Sequence, residues 1–113
     1  MRNEPSDFAV HVEHGGATVI VRPVGEMDIT SQTQWHAAVA AATGRPYREL
    51  VIDMAEVSFM DVSGLNCLIA TAHQLRDAGI EVSVANASRQ VERVCALSEA
   101  FDTTGGIARQ ERT

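Results

Sequence analysis

The stretch that most constrains this chain is a short apolar strand followed, after a turn, by a clear amphipathic helix. ELVIDMA (49–55) leads through a turn into GLNCLIATAHQLRDAG (64–79). In the second segment Leu65, Leu68, Ile69, Ala72 and Leu75 recur at i, i+3, i+4, i+7 and i+10, the spacing of one buried helix face. This predicts a helix over 63–78 that stops at Ala78-Gly79. ELVIDMA reads as a strand buried on both faces, and EVSVAN (81–86) as the next strand. Crossovers of this length return the chain parallel and right-handed.

Upstream, FAVHVEH (8–14) alternates Phe8, Val10 and Val12 with Ala9, His11 and Glu13, a strand with one face buried. Gly15-Gly16 marks a hairpin turn, and TVIVRPV (18–24) pairs back on the first strand. Pro23 must then sit where no ladder donor is needed. From Thr30 to Thr43 the pattern is helical, with Trp35, Ala38, Val39 and Ala42 on one stripe, Asp28 or Thr30 as the N-cap and Gly44 as the stop. SRQVERVCALSEAF (88–101) is expected to be a last helix, and residues 1–6 and 103–113 frayed ends. The order β-β-α-β-α-β-α implies an α/β fold: a two-layer sandwich with a mixed sheet of about four strands and three helices on one side. One domain spans 1–113, with its core over about 8–102.

Net charge is −6, from nine basic residues, all Arg, and fifteen acidic ones. Nucleic acid and anionic membrane surfaces need clustered basic residues, so neither is expected as a partner. An acidic surface suits a protein partner with a basic patch. Cys67 and Cys95 have no CxxC spacing and read as reduced thiols in a cytoplasmic protein. No apolar run is long enough for a signal peptide or a membrane span.

The candidate chemistry lies in SFMDVSGLNCL (58–68), where a loop enters the helix. Ser63 reads as the N-cap, Gly64 permits a close approach to the backbone, and Asp61 lies near the positive end of the helix dipole. A cap with an acidic first turn accounts for all three. The turn lacks the G-x-S-x-G elbow, and no phosphate-binding or dinucleotide motif is present. His11, His14, His36 and His73 form no metal-spaced pair and read as solvated surface histidines. Cys95 falls on an apolar stripe, Cys67 off its stripe and so partly exposed, and Trp35 on an inner face. These features predict a binding protein without cofactor, metal or catalytic residues.

LVIDMAEVSFMDVSGLNCLIATAHQLRDAG resembles the signature of the STAS domain family (sulfate transporter and anti-sigma factor antagonist), most of all its single-domain bacterial anti-sigma factor antagonists. VRPVGEMDITSQTQW is similar to the family's G-E-[LIM]-D loop and first helix, and ASRQVERVCALSEAF to its last strand-to-helix passage. The resemblance implies partner switching. An unmodified antagonist binds an anti-sigma factor, usually a GHKL-type serine kinase, and so frees a sigma factor. Phosphorylation at a D-S-[ST]-G-L turn then dissolves the complex.

In this chain the residue after the Asp, where the family carries its phosphoacceptor, is Val62, and Ser63 matches the second position. Ser58, before Phe59 at the end of a buried run, is no substitute. The resemblance therefore leaves three readings: a binder that is not switched off, a switch moved to Ser63 at the expense of its cap bond, or a scaffold whose partner is not a kinase. The regulatory turn is Asp61, Val62, Ser63 and Gly64, and the expected docking face is Gly25, Glu26, Asp28, Asp61, Ser63 and Asn66. A homodimer remains open. The alternative is an accessory or small-ligand-binding subunit of a membrane transport or signalling complex.

Overall fold

A computed structural model of the chain describes residues 8–89 and the backbone of 108–109. Strands β1 (Ala9–Gly15) and β2 (Thr18–Met27) form the expected antiparallel hairpin, turned by Gly16-Ala17 with Gly16 at φ 63°. Only glycine takes that left-handed backbone without penalty. A 3₁₀ turn (Ile29–Ser31) leads into helix α1 (Gln32–Ala42), followed by β3 (Glu49–Asp53), β4 (Val57–Met60), α2 (Val62–Asp77) and β5 (Glu81–Ala85). Two further residues, Ala108–Arg109, form β6.

The sheet runs β1-β2-β3-β5-β6, and β4 pairs with the far end of β2. Among the described residues only β1–β2 is antiparallel; β2–β3, β2–β4, β3–β5 and β5–β6 are parallel. Pro23 lies between the end of β3 pairing at Val21 and the start of β4 pairing at Gly25. Its missing donor is therefore not needed on that side.

The expected mixed sheet and two-layer α/β sandwich are present, with corrections. Six strands rather than about four are found among the described residues, because β4 and β6 are too short to show a pattern. Ala108–Arg109, expected within a frayed end, pairs with Ser83–Val84. Two α-helices are described; the third expected one, over 88–101, lies outside the described residues save for its start.

One core lies between the sheet and both helices. Val19 and Val21 of β2 stand beside Leu50 and Ile52 of β3, and these beside Val82 and Val84 of β5. Trp35 of α1, fully buried as expected, donates its indole N–H to Thr71 Oγ1 of α2 at 2.9 Å, which ties the two helices together.

The buried face of α2 is rotated from the expected stripe. Gly64, Cys67, Leu68, Thr71, Ala72 and Leu75 are buried, while Leu65 and Ile69 are only half-buried. Small residues take the inner positions because α2 presses closely on β2 and α1. Cys67, expected to be partly exposed, is thus buried; burial, and then the charge of Asp61, push its thiol pKa up.

On the other face, Arg22 Nε donates to Asp53 Oδ2 at 3.1 Å, while Asp53 Oδ1 accepts from Asn86 Nδ2 and the Ala55 N–H, each at 3.0 Å. Burial works to raise the Asp53 pKa. The hydrogen bonds from Asn86, Ala55 and Arg22, with the guanidinium charge, outweigh it and hold the carboxyl below the ordinary range. His11, His36 and His73 are exposed as expected. His14 is exposed as well, and it stacks on Tyr47, with ring centroids 5.6 Å apart, and shares a hydrogen bond with its hydroxyl.

Candidate functional site

The expected regulatory turn and docking loop meet at one end of the sheet. Strands β2 and β4 run parallel and end level, with Met27 opposite Met60. Beyond that pair each chain repeats one design, Met-Asp-Ile-Thr at 27–30 and Met-Asp-Val-Ser at 60–63. In both, the Asp caps a helical turn and the β-branched residue occupies its first position.

Asp28 Oδ1 accepts from the Thr30 N–H at 2.9 Å and the Thr30 hydroxyl at 2.6 Å, while the Asp28 N–H donates to Ser31 Oγ at 3.0 Å. This is a reciprocal capping box. Asp61, with φ −107° and ψ −168°, accepts the Gly64 N–H on Oδ1 at 3.0 Å.

That corrects the expected cap. Asp61, not Ser63, closes the start of α2, because the helix begins one residue earlier than its periodicity indicates, at Val62. Ser63 becomes the second helical residue and is half-buried. Phosphorylation there would break no cap bond, so the expected cost of that reading disappears.

The close approach expected at Gly64 is made by β2. A Cβ at Gly64 would lie 2.2 Å from the Met27 carbonyl oxygen and 2.8 Å from Met60 Cγ. The same carbonyl accepts the Asp61 N–H at 3.3 Å. Gly25, at φ 107°, donates its N–H to the Glu56 carbonyl at 3.0 Å and opens a β-bulge. Gly25 faces Val57, but Glu26 faces Phe59, so Ser58 is the extra residue. Val57 and Met60 pack against the core, while Ser58 and Phe59 both point outward. Phe59, expected within a buried run, is 50% exposed.

Val62 is 70% exposed and Asn66, one turn later, is also exposed. Ile29, the counterpart of Val62, is 67% exposed. Ile29 and Phe59 were missed by the sequence reading; the twin Met-Asp-[Ile/Val]-[Thr/Ser] pattern was the available signal for Ile29. Residues 25–30 and 56–66 carry four carboxylates, Glu26, Asp28, Glu56 and Asp61, and no basic side chain. Among the described residues no group of His, Cys, Asp or Glu is arranged to hold a metal ion, and no described helix is long and apolar enough to cross a membrane.

The family model for the STAS domain matches residues 9–111. Among solved structures, the chain is similar to an anti-sigma factor antagonist from Mycobacterium paratuberculosis at 26% identity and TM-score 0.68, over 90% of this chain and 88% of that one. It is also similar to a putative anti-sigma factor antagonist from Thermotoga maritima at 18% identity and TM-score 0.74, over 95% of this chain and 89% of that one. Murine Slc26a9, an anion transporter, matches at 22% identity and TM-score 0.67, over 76% of this chain but 14% of the transporter.

Proposed function

Because the chain belongs to the STAS domain family, we propose that it acts as an anti-sigma factor antagonist. In this reading it is a cytoplasmic module that binds an anti-sigma factor of the GHKL-type serine kinase class and so releases a sigma factor. It works by contact rather than catalysis. The comparison structures that match end to end carry the antagonist name, whereas the transporter is matched over a small part of its length. The rival role, an accessory or small-ligand subunit of a transport complex, rests on a likeness to Slc26a9 that carries the fold alone.

The observation that carries the reading is the state of the turn. Asp61 caps α2, Gly64 seats it on β2, and the residue presented to solvent at the first helical position is Val62. In this reading the capped turn serves as the docking platform although the usual acceptor position has no hydroxyl. A phosphoryl group placed there would add about −1.5 to −2 charges next to Asp28 and Asp61. This chain forgoes that switch, and binding persists in the presence of kinase and ATP.

Intact-mass spectrometry after incubation with the cognate kinase and ATP tests this. Wild type should remain unmodified and Val62→Ser should gain one phosphate. A stoichiometric phosphate on wild-type Ser63 would move the switch by one residue and overturn the proposal.

A further inference from the structure

All three large hydrophobic residues exposed among the described ones, Ile29, Phe59 and Val62, lie at the same corner of the molecule. Scattered single hydrophobes on a surface need no explanation, but a group gathered at one place does. Three separate devices gather this one. The bulge at Ser58 leaves Phe59 facing outward beside Glu26, the Asp28 cap presents Ile29, and the Asp61 cap presents Val62. The pairing of Met27 with Met60, and the Asp61 N–H donated to the Met27 carbonyl, hold the two caps side by side. Around these apolar side chains stand Glu26, Asp28 and Asp61, with no basic residue in either segment.

We infer that Ile29, Phe59 and Val62 form the apolar centre of a docking surface whose occupant is an amphipathic protein segment, with an aliphatic stripe bordered by Arg or Lys. This rests on the antagonist reading and specifies the chemistry of its partner. Val62 thereby acquires a role of its own as an anchor in place of a missing hydroxyl. Apolar centres with charged rims are how specific interfaces divide affinity from selectivity. An uncharged rim would accept any apolar helix, whereas this one repels acidic segments.

Two synthetic amphipathic helices of about eighteen residues, long enough for several turns, serve as probes. Both carry one leucine stripe, bordered by Arg in the first and Glu in the second. Titrated into the isotopically labelled full chain, the Arg peptide should shift amide resonances of residues 26–30 and 59–66. It should bind at least about tenfold more tightly than the Glu peptide at low salt, with the gap narrowing as salt rises. The triple variant I29A/F59A/V62A, which adds no hydroxyl at position 62, should bind the Arg peptide about tenfold or more weakly. E26R, which leaves the apolar centre intact and removes only part of the negative rim, should narrow the gap between the two peptides. Equal affinity for both peptides, unchanged binding by the triple variant, or shifts confined elsewhere would overturn the inference.

Binding to the purified cognate kinase separates this inference from the antagonist role. Kinase binding that the triple variant leaves intact overturns the inference and spares that role. Peptide binding at the patch without kinase binding supports the inference and overturns that role.

Discussion

Gly64→Ala is the substitution for which the structure and helix propensity disagree most. Inside a helix, replacing Gly by Ala ordinarily gains about 1 kcal/mol. Here the added Cβ would meet the Met27 carbonyl oxygen at 2.2 Å and its carbon at 2.9 Å, against ordinary contacts of 3.4 Å and beyond. Relief requires about 1 Å of movement between α2 and β2. The obstacle is backbone, held by the pairing of Met27 with Met60 in β4 and by the Asp61 N–H that the same carbonyl accepts, so no side chain can swing away. Overpacking of this kind costs about 1–3 kcal/mol and sometimes more. Taking the upper end less the propensity gain leaves a net loss of about 2 kcal/mol, or roughly 8 °C in Tm for a chain of this size. Urea unfolding followed through Trp35, the single and fully buried tryptophan, gives a direct readout. Gly15→Ala is the control, since nothing lies within 4 Å of a Cβ there. If Gly64→Ala melts at or above wild type, the reasoning about this contact is wrong.

Asp61→Ala should cost about 1 kcal/mol in urea unfolding, as a lost N-cap does, while Ser63→Ala should stay within about 0.5 kcal/mol; the reverse order would restore the serine cap. Thr71→Val leaves the buried Trp35 N–H without its acceptor and should cost about 1–3 kcal/mol, with a shift in the tryptophan emission. Asp53 is held below the ordinary aspartate pKa, so its contribution to stability is full at neutral pH and is lost as pH falls below about 4 through the lowered value. Asp53→Asn should therefore flatten the acid limb of stability against pH, and an unchanged limb would refute this. Cys67 should react with a thiol reagent only at the rate of unfolding, since burial and Asp61 both oppose its thiolate.

Much of this fold was legible because its elements are periodic. β1, β2, β3, β5 and α2 each bury a face that recurs along the sequence, and Gly16 at the hairpin turn carries its own turn chemistry. β4 was not legible, because a bulge in a four-residue strand puts two outward residues in succession and erases period two. The start of α2 was misplaced by one residue because Asp61 and Ser63 are equally good cap types in sequence. Only the path of β2 decides between them, through the Met27 carbonyl against Gly64. The burial of Cys67 followed from the same contact, which rotates the helix. In the candidate site, the Asp61–Gly64 turn was visible as a motif, whereas Phe59 and Ile29 depend on which strands end level with one another.

The bulge at Ser58 also separates the phase of this corner from the count of residues leading to it. Val57 and Met60 both keep inward places although two residues, rather than one, lie outward between them. Met60 takes its position sideways, from Met27, rather than from its distance along the chain after β3. The strand therefore has slack of one residue at Ser58. Length changes at that point should be absorbed locally, while the start of α2 and the display of Val62 stay in step with β2.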